Sequence, residues 1–395
     1  MQQDLINCIA DLDDVSGLLK SYFVGKDEMV EMIILCAIAQ EHLLVVGPPG
    51  TAKSDLVKRF SLLCSETLKE SETIPYFEYL LTQFTEPNEI FGPVDVKSFQ
   101  EGNGYHRITN KMLPKAEIVF LDEVFKANSA ILNALLTILN ERIFYNGGRA
   151  NDVSLLFAIG ATNEVPKDPE LNALYDRFLI RLWTDHVEEE RFPELFRLGW
   201  KLESDRIKEG YKITHKPTTS TDKIKRIYRE LDNVDLNPIE NHYRELVRRI
   251  RSEGIHLSDR RVIKLLKLIA ASALKNRRTK AESGDFWILR HVWNNPEQIT
   301  ILENILEPYV DDDTIANIRG SRDAKTIQQD LDNLQQNMEK LKSDIDFVDF
   351  LKQAERFRKE INRADLLDEK KSMLDQIKNM VNQVYEIIDK GQPDA

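Results

Sequence analysis

The stretch Gly47-Pro48-Pro49-Gly50-Thr51-Ala52-Lys53-Ser54 lies between two segments of different periodicity. Before it, Leu43-Leu44-Val45-Val46 is apolar at every position, which is typical of a strand buried on both faces of a parallel sheet. After it, Asp55–Leu63 has helical spacing of its apolar residues. A glycine-containing loop that leaves a strand and opens a helix is the usual setting of a phosphate-binding loop.

Each residue type in this loop has a use in binding phosphate. Gly47 and Gly50 let backbone N–H groups turn toward phosphate oxygens. Lys53 brings a positive charge to the β- and γ-phosphates, and Ser54 offers a hydroxyl to Mg²⁺. Ala52 occupies the position of the second glycine in the strict pattern, so a turn followed by a chance Lys-Ser is the alternative. The loop predicts ATP and Mg²⁺ as ligands.

An acidic pair ends another fully apolar run. Ile118–Leu121 is followed by Asp122 and Glu123, 69 residues after Lys53. Side chains at the carboxyl end of a parallel strand face the crevice in which ligands bind. We therefore expect Asp122 to hold Mg²⁺ through water and Glu123 to polarise the attacking water.

A neutral amide follows a third apolar run. The predicted strand Leu155–Ile159 continues into Gly160-Ala161-Thr162-Asn163. The Asn163 amide at a strand end is suited to orient a water molecule or to bond the γ-phosphate. An asparagine that only forms a turn is the alternative.

Two arginines further along the chain are candidates for stabilising the transition state of phosphoryl transfer. Arg177 follows Asp176, and a surface ion pair between these two is the alternative. Arg260 lies at the start of a predicted helix that Ser258 or Asp259 would cap, so that Arg260 projects toward a phosphate. A solvated charge is the alternative for either arginine.

The periodicity divides the chain into three regions. Residues 1–184 alternate short apolar runs with amphipathic segments and predict an α/β, doubly wound parallel sheet. Residues 185–310 lack strand-like runs and predict a helical domain. Residues 311–395 carry apolar residues in steps of three and four, which predicts a helical hairpin within the chain or a coiled coil between chains. The two heptad runs are Ile327, Leu331, Leu334, Met338, Leu341, Ile345, Val348 and Met373, Ile377, Met380, Val384, Ile387.

Composition narrows the class of protein. The formal net charge of −12 argues against nucleic acid as the main partner, because duplex binding needs a basic surface. Three widely spaced cysteines fit a reducing compartment, and Met1–Lys20 lacks the apolar core of a signal peptide. No apolar run reaches the ~18 residues of a membrane span. We expect a cytoplasmic protein without a membrane span.

The combined motifs resemble those of the AAA+ ATPases, and among these the MoxR family. The resemblance covers about residues 1–310 and is closest to the RavA subfamily. It implies a P-loop AAA+ domain followed by an all-α lid. The stretches that carry it are Val46–Ser54, Phe120–Ala127, Ile131–Arg142, Tyr175–Arg177 and Leu257–Arg261.

The resemblance implies a role for each matching residue. Glu123 corresponds to the catalytic glutamate and Asn163 to sensor 1. Arg177 corresponds to the finger that enters the neighbouring subunit's site, and Arg260 to sensor 2. Ser54 and Asp122 correspond to the metal-binding pair. The implied nucleotide contacts are Val24, Gly25, Gly47, Pro48, Pro49, Gly50, Thr51, Ala52, Lys53, Ser54 and Asp122.

The resemblance also implies partners. Related proteins form rings, commonly hexamers, and the segment Glu86–Leu113 resembles a β-hairpin insert that faces the pore of such rings. Family members pair with von Willebrand factor A proteins. RavA-like proteins carry a small β-rich insertion, whereas Ser321–Lys390 predicts helices only, so a partner specific to that insertion is not expected here.

Three functions remain open from the sequence. The first is a ring-forming ATPase that remodels or assembles protein clients in a chaperone-like way. The second is a DNA-acting motor, which the basic run Arg244–Arg251 would support and the acidic total opposes. The third is a nucleotide-regulated scaffold in a stress or defence module.

Overall fold

The structure is a computed structural model that describes residues 3–65, 76–102, 104–209, 217–310 and 370–390, with single positions between 318 and 361. The chain divides into two compact units, Met1–Val310 and Asp311–Ala395. The strands of the first unit are β1 (Leu43–Val46), β2 (Tyr76–Leu80), β3 (Ile118–Asp122), β4 (Ile143–Asn146), β5 (Arg149–Asp152), β6 (Phe157–Thr162) and β7 (Ile180–Trp183).

The α-helices of the first unit are α1 (Gln3–Tyr22), α2 (Asp27–Ala39), α3 (Lys53–Leu63), α4 (Pro87–Phe91), α5 (Val96–Gln100), α6 (Ser129–Glu141), α7 (Asn172–Tyr175), α8 (Phe192–Glu209), α9 (Thr221–Arg229), α10 (Glu240–Ser252), α11 (Asp259–Lys275) and α12 (Ile299–Leu306). The 3₁₀ helices are Leu113–Lys115, Val124–Lys126, Pro169–Leu171, Glu189–Arg191, Leu231–Asn233, Asn237–Ile239, Ser283–His291 and Pro296–Gln298.

Five strands form a parallel sheet in the order β2-β3-β6-β1-β7. The predicted α/β fold with a parallel sheet is confirmed. Strands β1 and β6 are buried at every residue, as expected for strands covered on both faces. Strand β6 is Phe157–Thr162, so it starts two residues later than predicted and continues through Gly160 to Thr162. A Cβ at Gly160 would lie 2.7 Å from the ring of Phe178, so only a glycine fits there.

Helix α11 is tied to the part of the first unit that contains the sheet, both in its first half and at its end. Lys264 and Lys267 donate to the buried carboxylate of Glu41 at 2.5 and 2.7 Å. At its end, Lys275 pairs with Glu31 of α2 at 2.8 Å. Burial would raise the pKa of Glu31, but Lys275 and Lys20 outweigh it and hold that pKa at about 2. These ion pairs, in which the lysines are partly exposed, hold α11 against α2 and the segment before β1.

The insert after β2 differs from the predicted β-hairpin. It contains the short helices α4 and α5 and a single bridge between Val94 and Arg107. The side chain of Asn146 on β4 accepts from Arg107 N at 2.7 Å and donates to Arg107 O at 3.1 Å. Around this bridge Asp95 N donates to His106 O and Ile108 N to Pro93 O, both at 2.8 Å. The predicted β-hairpin is therefore reduced, in the described residues, to this one antiparallel contact, because α4 and α5 take up much of the segment before it.

The second unit is helical in its described residues, and helix Lys370–Lys390 is its longest described element. One buried cluster joins both predicted heptad runs within the same chain, which favours the intramolecular packing of these runs. It also contains three residues outside the heptad pattern. The cluster consists of Leu331, Leu334, Phe350, Ala354, Ile361, Met373, Ile377, Met380 and Val384. Ile327, Leu341, Ile345 and Val348 lie outside the described residues.

Candidate nucleotide-binding site

The loop between β1 and α3 has the conformation that a phosphate loop needs. Gly47 has φ +154°, and a Cβ there would lie 1.9 Å from Thr184 O, so no other residue fits. Gly50 has φ +78° and is open to solvent around its missing Cβ. Ala52 has φ +61°, a left-handed conformation that costs an L-residue roughly 1–2 kcal/mol. The loop therefore keeps the shape of the glycine pattern although Ala52 departs from it.

The remaining loop residues surround the start of α3. Pro48 is half-buried and Pro49 is exposed. The Thr51 hydroxyl donates to Pro48 O at 3.1 Å. Ser54 is half-buried in the first turn of α3. A helix N-terminus that presents free N–H groups next to such a loop is a good site for phosphate.

Lys53 is buried and folded back onto the loop. Its Nζ donates to Gly47 O at 2.5 Å and to Pro48 O at 3.2 Å. Burial lowers the pKa of Lys53, and the nearby carboxylates of Asp122 and Glu123 counteract this effect. The electrostatic influence of both carboxylates on Lys53 places the two predicted motifs in one site.

The acidic pair and the amide meet at the carboxyl edge of the sheet. Glu123 N donates to the Asp122 carboxylate at 2.9 Å. Asn163 Nδ2 donates to Glu123 Oε1 at 2.6 Å, and Lys126 Nζ lies 3.1 Å from the same oxygen. Glu123 has φ +50°, a strained conformation of the kind that concentrates at functional sites. The side chain that we expect to polarise water is thus held by Asn163.

A buried lysine near this site has no counterpart among the predicted residues. Val24 is buried and Gly25 has φ +69°. The next residue, Lys26, donates to Thr184 Oγ1 at 2.9 Å and to Asp185 O at 2.6 Å. Burial lowers the pKa of Lys26 to about 8, Asp185 opposes this, and Lys53 reinforces it. A lysine between a glycine and an acidic helix start is common, so no signal in the sequence marks Lys26.

Arg177 and Arg260 lie together, away from the phosphate loop of the same chain. Both line one pocket with Leu139, Asp176, Leu179, Arg261 and Lys264. Arg260 donates to the Asn140 side chain. Arg177 Nε is buried and has no hydrogen-bond partner among the described residues. Asp176 lies 3.8 Å from Arg181, so the alternative of an Asp176–Arg177 pair is not what the structure contains.

This pocket lies at the amino edge of the sheet. Leu179 directly precedes β7, and Arg261 of α11 donates to its carbonyl at 3.3 Å. Arg142, which follows α6, donates to the carbonyls of Gln40 and Leu156, which precede β1 and β6. Strands of four to six residues separate the two edges by roughly 13–20 Å. Within one chain, Arg260 therefore does not reach the phosphate loop. The sequence had predicted that Arg260 projects toward a phosphate.

Buried arginines position this amino edge against the lid. Arg181 donates to Trp293 O at 2.6 Å and to the Asn294 side chain at 2.5 Å. Arg261 donates to the same Asn294 oxygen at 3.2 Å. Burial, and then the neighbouring charge of Arg181, lower the pKa of Arg261 to about 9. Ser258 caps α11 by accepting from Arg261 N at 3.3 Å, which confirms the predicted cap.

The donor set at the carboxyl edge suits a hard cation. Ser54 and Asp122 offer a hydroxyl and a carboxylate, the oxygen ligands that Mg²⁺ prefers. Across the described ranges, no group of three or more His, Cys, Asp or Glu side chains is arranged to hold a metal ion. Ser54 and Asp122 would therefore share a magnesium ion with water and phosphate oxygens.

Comparisons with known proteins identify the family. Residues 10–227 match the family described as the MoxR domain in the MoxR-vWA-beta-propeller ternary systems. The chain belongs to the MoxR family of AAA+ ATPases. Residues 223–306 of this MoxR protein match the family described as the AAA lid domain. The predicted membership is confirmed at this level.

Three relatives are similar to this chain in sequence, and one of them is named as a MoxR protein. An uncharacterised protein of Methanocaldococcus jannaschii is 38% identical over 289 residues, covering 73% of this chain and 72% of the relative. A second from the same organism is 36% identical over 297 residues, 75% and 73% of the two chains. Chaperone MoxR1 of Mycobacterium tuberculosis is 26% identical over 187 residues, 46% of each chain.

A solved structure supports the fold. The crystal structure of a candidate ATPase from Cytophaga hutchinsonii superposes with a TM-score of 0.61 at 19% identity, covering 78% of this chain and 97% of that one. At this identity the likeness shows the fold alone. In the part of the MoxR protein that the structure describes, every helix is too short or too polar to span a bilayer.

Proposed function

We propose that this MoxR protein hydrolyses ATP at a site completed by a second copy of the chain. The observation that carries the proposal is the separation of the two half-sites. The loop, the acidic pair and Asn163 lie at the carboxyl edge, whereas Arg177 and Arg260 share a pocket at the amino edge. An arginine can stabilise a transition state only within contact distance. A neighbouring copy that sets its amino edge against this carboxyl edge brings the halves together.

Each residue of the carboxyl half-site has a role in this proposal. The N–H groups of the loop Gly47–Ser54 bind the phosphates, and Lys53 leaves the loop carbonyls to contact the β- and γ-phosphates. Ser54 and Asp122 hold Mg²⁺, which neutralises phosphate charge when bound. Glu123 accepts a proton from the attacking water, and the hydrogen bond from Asn163 orients the Glu123 carboxylate toward that water. Val24 and Gly25 contact the base side of ATP.

The amino half-site supplies the positive charge. Arg177 acts as the finger and Arg260 as the second sensor on the neighbour's γ-phosphate. Arg177 is half-buried at this pocket, and its Nε has no hydrogen-bond partner among the described residues. Joining one edge to the opposite edge of the next copy is heterologous, and such contacts close into rings. We propose a ring of six, the size usual for AAA+ proteins.

We propose that hydrolysis drives remodelling or assembly of a protein partner. The matching family is described from MoxR-vWA-beta-propeller systems, and one relative is named a chaperone. A von Willebrand factor A protein is therefore the partner class that we propose. We further propose membership of the RavA subfamily, a cytoplasmic location, and functional domains at residues 1–184, 185–310 and 311–395.

A trapped form of the protein tests this proposal. Glu123→Gln should bind ATP and Mg²⁺, assemble, and hydrolyse ATP at least 10²-fold more slowly than wild type. The assembled variant, mixed with a purified von Willebrand factor A protein from the same genome, should hold it in an ATP-dependent complex. Wild-type turnover by Glu123→Gln would contradict the site. Assembly without capture would contradict only the partner class.

A further inference from the structure

Helix α8 exposes a stripe of large apolar side chains. Phe196, Trp200 and Ile207 are 65%, 72% and 75% exposed. They lie four and seven residues apart, and therefore on the same side of the helix. Among its described residues, the 18-residue helix has no buried side chain. Phe196 and Trp200 are neighbours on this side, and Ile207 lies two turns further on, beyond Ser204. A group of exposed apolar side chains on one face indicates an interaction site, whereas single exposed apolar residues need no explanation. We call these three residues the α8 stripe.

The α8 stripe begins beside the carboxyl half-site. Arg191, directly before α8, lies 3.9 Å from Asp27 and donates to Glu194 at 2.9 Å. A Cβ at Gly25 would lie 3.6 Å from the Arg191 guanidinium. The first turn of α8 is therefore anchored to the segment that we assign to the base side of ATP. Whatever covers that side of the nucleotide also lies close to Phe196.

The amino edge carries a matching apolar residue. Ile263 is 67% exposed and lies one helical turn after Arg260 on α11. Residues three apart on a helix lie on one face, so Ile263 and Arg260 point to the same surface. Any partner that receives Arg260 also meets Ile263.

Charges on the two surfaces are complementary. The segment that leads into α8 exposes Asp185, Glu188 and Glu189, while α8 itself exposes charges of both signs. The opposite surface carries Arg260 and Lys264, and Arg177 beside them. Opposite charges at the rim of an interface steer association and fix its orientation. The acidic segment before α8 and the basic start of α11 are complementary, which favours a second copy of this chain as the partner.

We infer that the α8 stripe is a docking site for the neighbouring copy, which contacts it with Ile263 and the surrounding start of α11. The inference rests on the proposed function, because that function sets one copy's amino edge against the next copy's nucleotide site. It adds a specific contact outside the site itself. The contact is heterologous, so Trp200 of one copy meets Ile263 of another and never a second Trp200.

Site-directed cross-linking tests this contact. The three native cysteines are buried, so single surface cysteines can be addressed selectively. Trp200→Cys protein mixed with Ile263→Cys protein, ATP and a short bismaleimide should give a cross-linked dimer. Neither variant alone should cross-link. Trp200→Cys mixed with Arg248→Cys, whose side chain is exposed on α10, is the control pair and should stay monomeric on a denaturing gel.

Assembly is measured in parallel by sedimentation, so that two failures can be told apart. Wild type that stays monomeric with ATP and Mg²⁺ would contradict the proposed function and this contact with it. Assembly without the mixed cross-link, or cross-linking of Trp200→Cys alone, would overturn the contact only. As a second test, Trp200→Glu should weaken assembly at least tenfold and leave binding of a fluorescent ATP analogue within twofold. Leu18→Glu, at an exposed apolar residue of α1, is the control.

Discussion

The two edges of the parallel sheet, to which we assign complementary parts of one site, differ in how their charged side chains are hydrogen-bonded within the chain. At the carboxyl edge, Lys53 donates to loop carbonyls, and Glu123 accepts from Asn163. At the amino edge, Arg177 Nε is buried without a described partner and Arg260 is exposed. In the proposed function the carboxyl edge binds nucleotide by itself, whereas Arg177 and Arg260 act only on a nucleotide held by a second copy.

The largest effect should come from the amino edge. Arg177→Ala should lower ATP turnover by roughly 10³-fold or more, because a finger arginine contributes that much to phosphoryl transfer. Nucleotide affinity should change by no more than a few-fold, since the carboxyl edge is intact. Turnover and binding of a fluorescent ATP analogue give the two quantities. Arg248→Ala on α10 is the control, and loss of binding in Arg177→Ala would break the comparison between the edges.

A smaller loss of rate should follow from Asn163→Ala at the carboxyl edge. Without the 2.6 Å bond from Asn163, Glu123 keeps only Lys126 as a described partner of the same oxygen. We expect kcat to fall by about 10²-fold, part of what a positioned general base contributes, with KM within a few-fold. Steady-state kinetics on Asn163→Ala and on the exposed control Asn151→Ala measure this. A change in KM alone would assign Asn163 to binding instead of orientation.

The stability of the lid connection should depend on pH through Glu31. Its folded pKa of about 2 lies below the ordinary value of 4.5. Its contribution is therefore complete above pH 4.5 and is lost as the pH falls toward 2. Glu31→Gln should lower the free energy of unfolding at pH 7 by about 3 kcal/mol.

Urea unfolding of wild type and Glu31→Gln at pH 7, 4.5 and 3 measures this contribution. The difference between the two proteins should shrink as the pH falls. Glu245→Gln, on the exposed side of α10, should leave the unfolding free energy unchanged within about 0.5 kcal/mol at each pH. A difference that does not vary with pH would show that the ion pair with Lys275 does not hold α11.

The smallest effect concerns the loop itself. Ala52→Gly should raise the free energy of unfolding by about 0.5–1 kcal/mol, because glycine adopts φ +61° without a Cβ clash. Ala130→Gly in the first turn of α6 should lower it by about 1 kcal/mol, since glycine there only adds flexibility. Thermal unfolding of both variants measures the signs. Equal signs would contradict the strained conformation of Ala52.

Much of the fold could be predicted from the sequence because the central strands are apolar on both faces. Strands β2 and β7 were not predicted, because polar or charged residues interrupt their apolar runs. Arg181 sits in β7, and the carbonyl of Trp293 and the ring of Tyr175 accommodate its guanidinium in the interior. Such a contact between distant segments leaves no periodic signal, so local patterns could not mark β7 as a strand.

The candidate site shows the same division. The residues at the ends of β1, β3 and β6 could be predicted, because parallel topology gathers those ends at one edge. The position of Arg260 could not, because it depends on how Glu31 and Glu41 fix α11 against the sheet domain. Lys26 was missed for a similar reason, since its partners Thr184 and Asp185 come from the far end of the sheet domain.

A mixing experiment tests most directly whether one site is shared between two copies. Glu123→Gln retains its amino edge and Arg177→Ala retains its carboxyl edge, and each should be inactive alone. In a random equimolar mixture about a quarter of the interfaces combine the two intact edges, so turnover should return to as much as about a quarter of the wild-type rate. If the mixed assemblies form and remain as inactive as the separate variants, both edges would have to act within one chain, which contradicts the shared site.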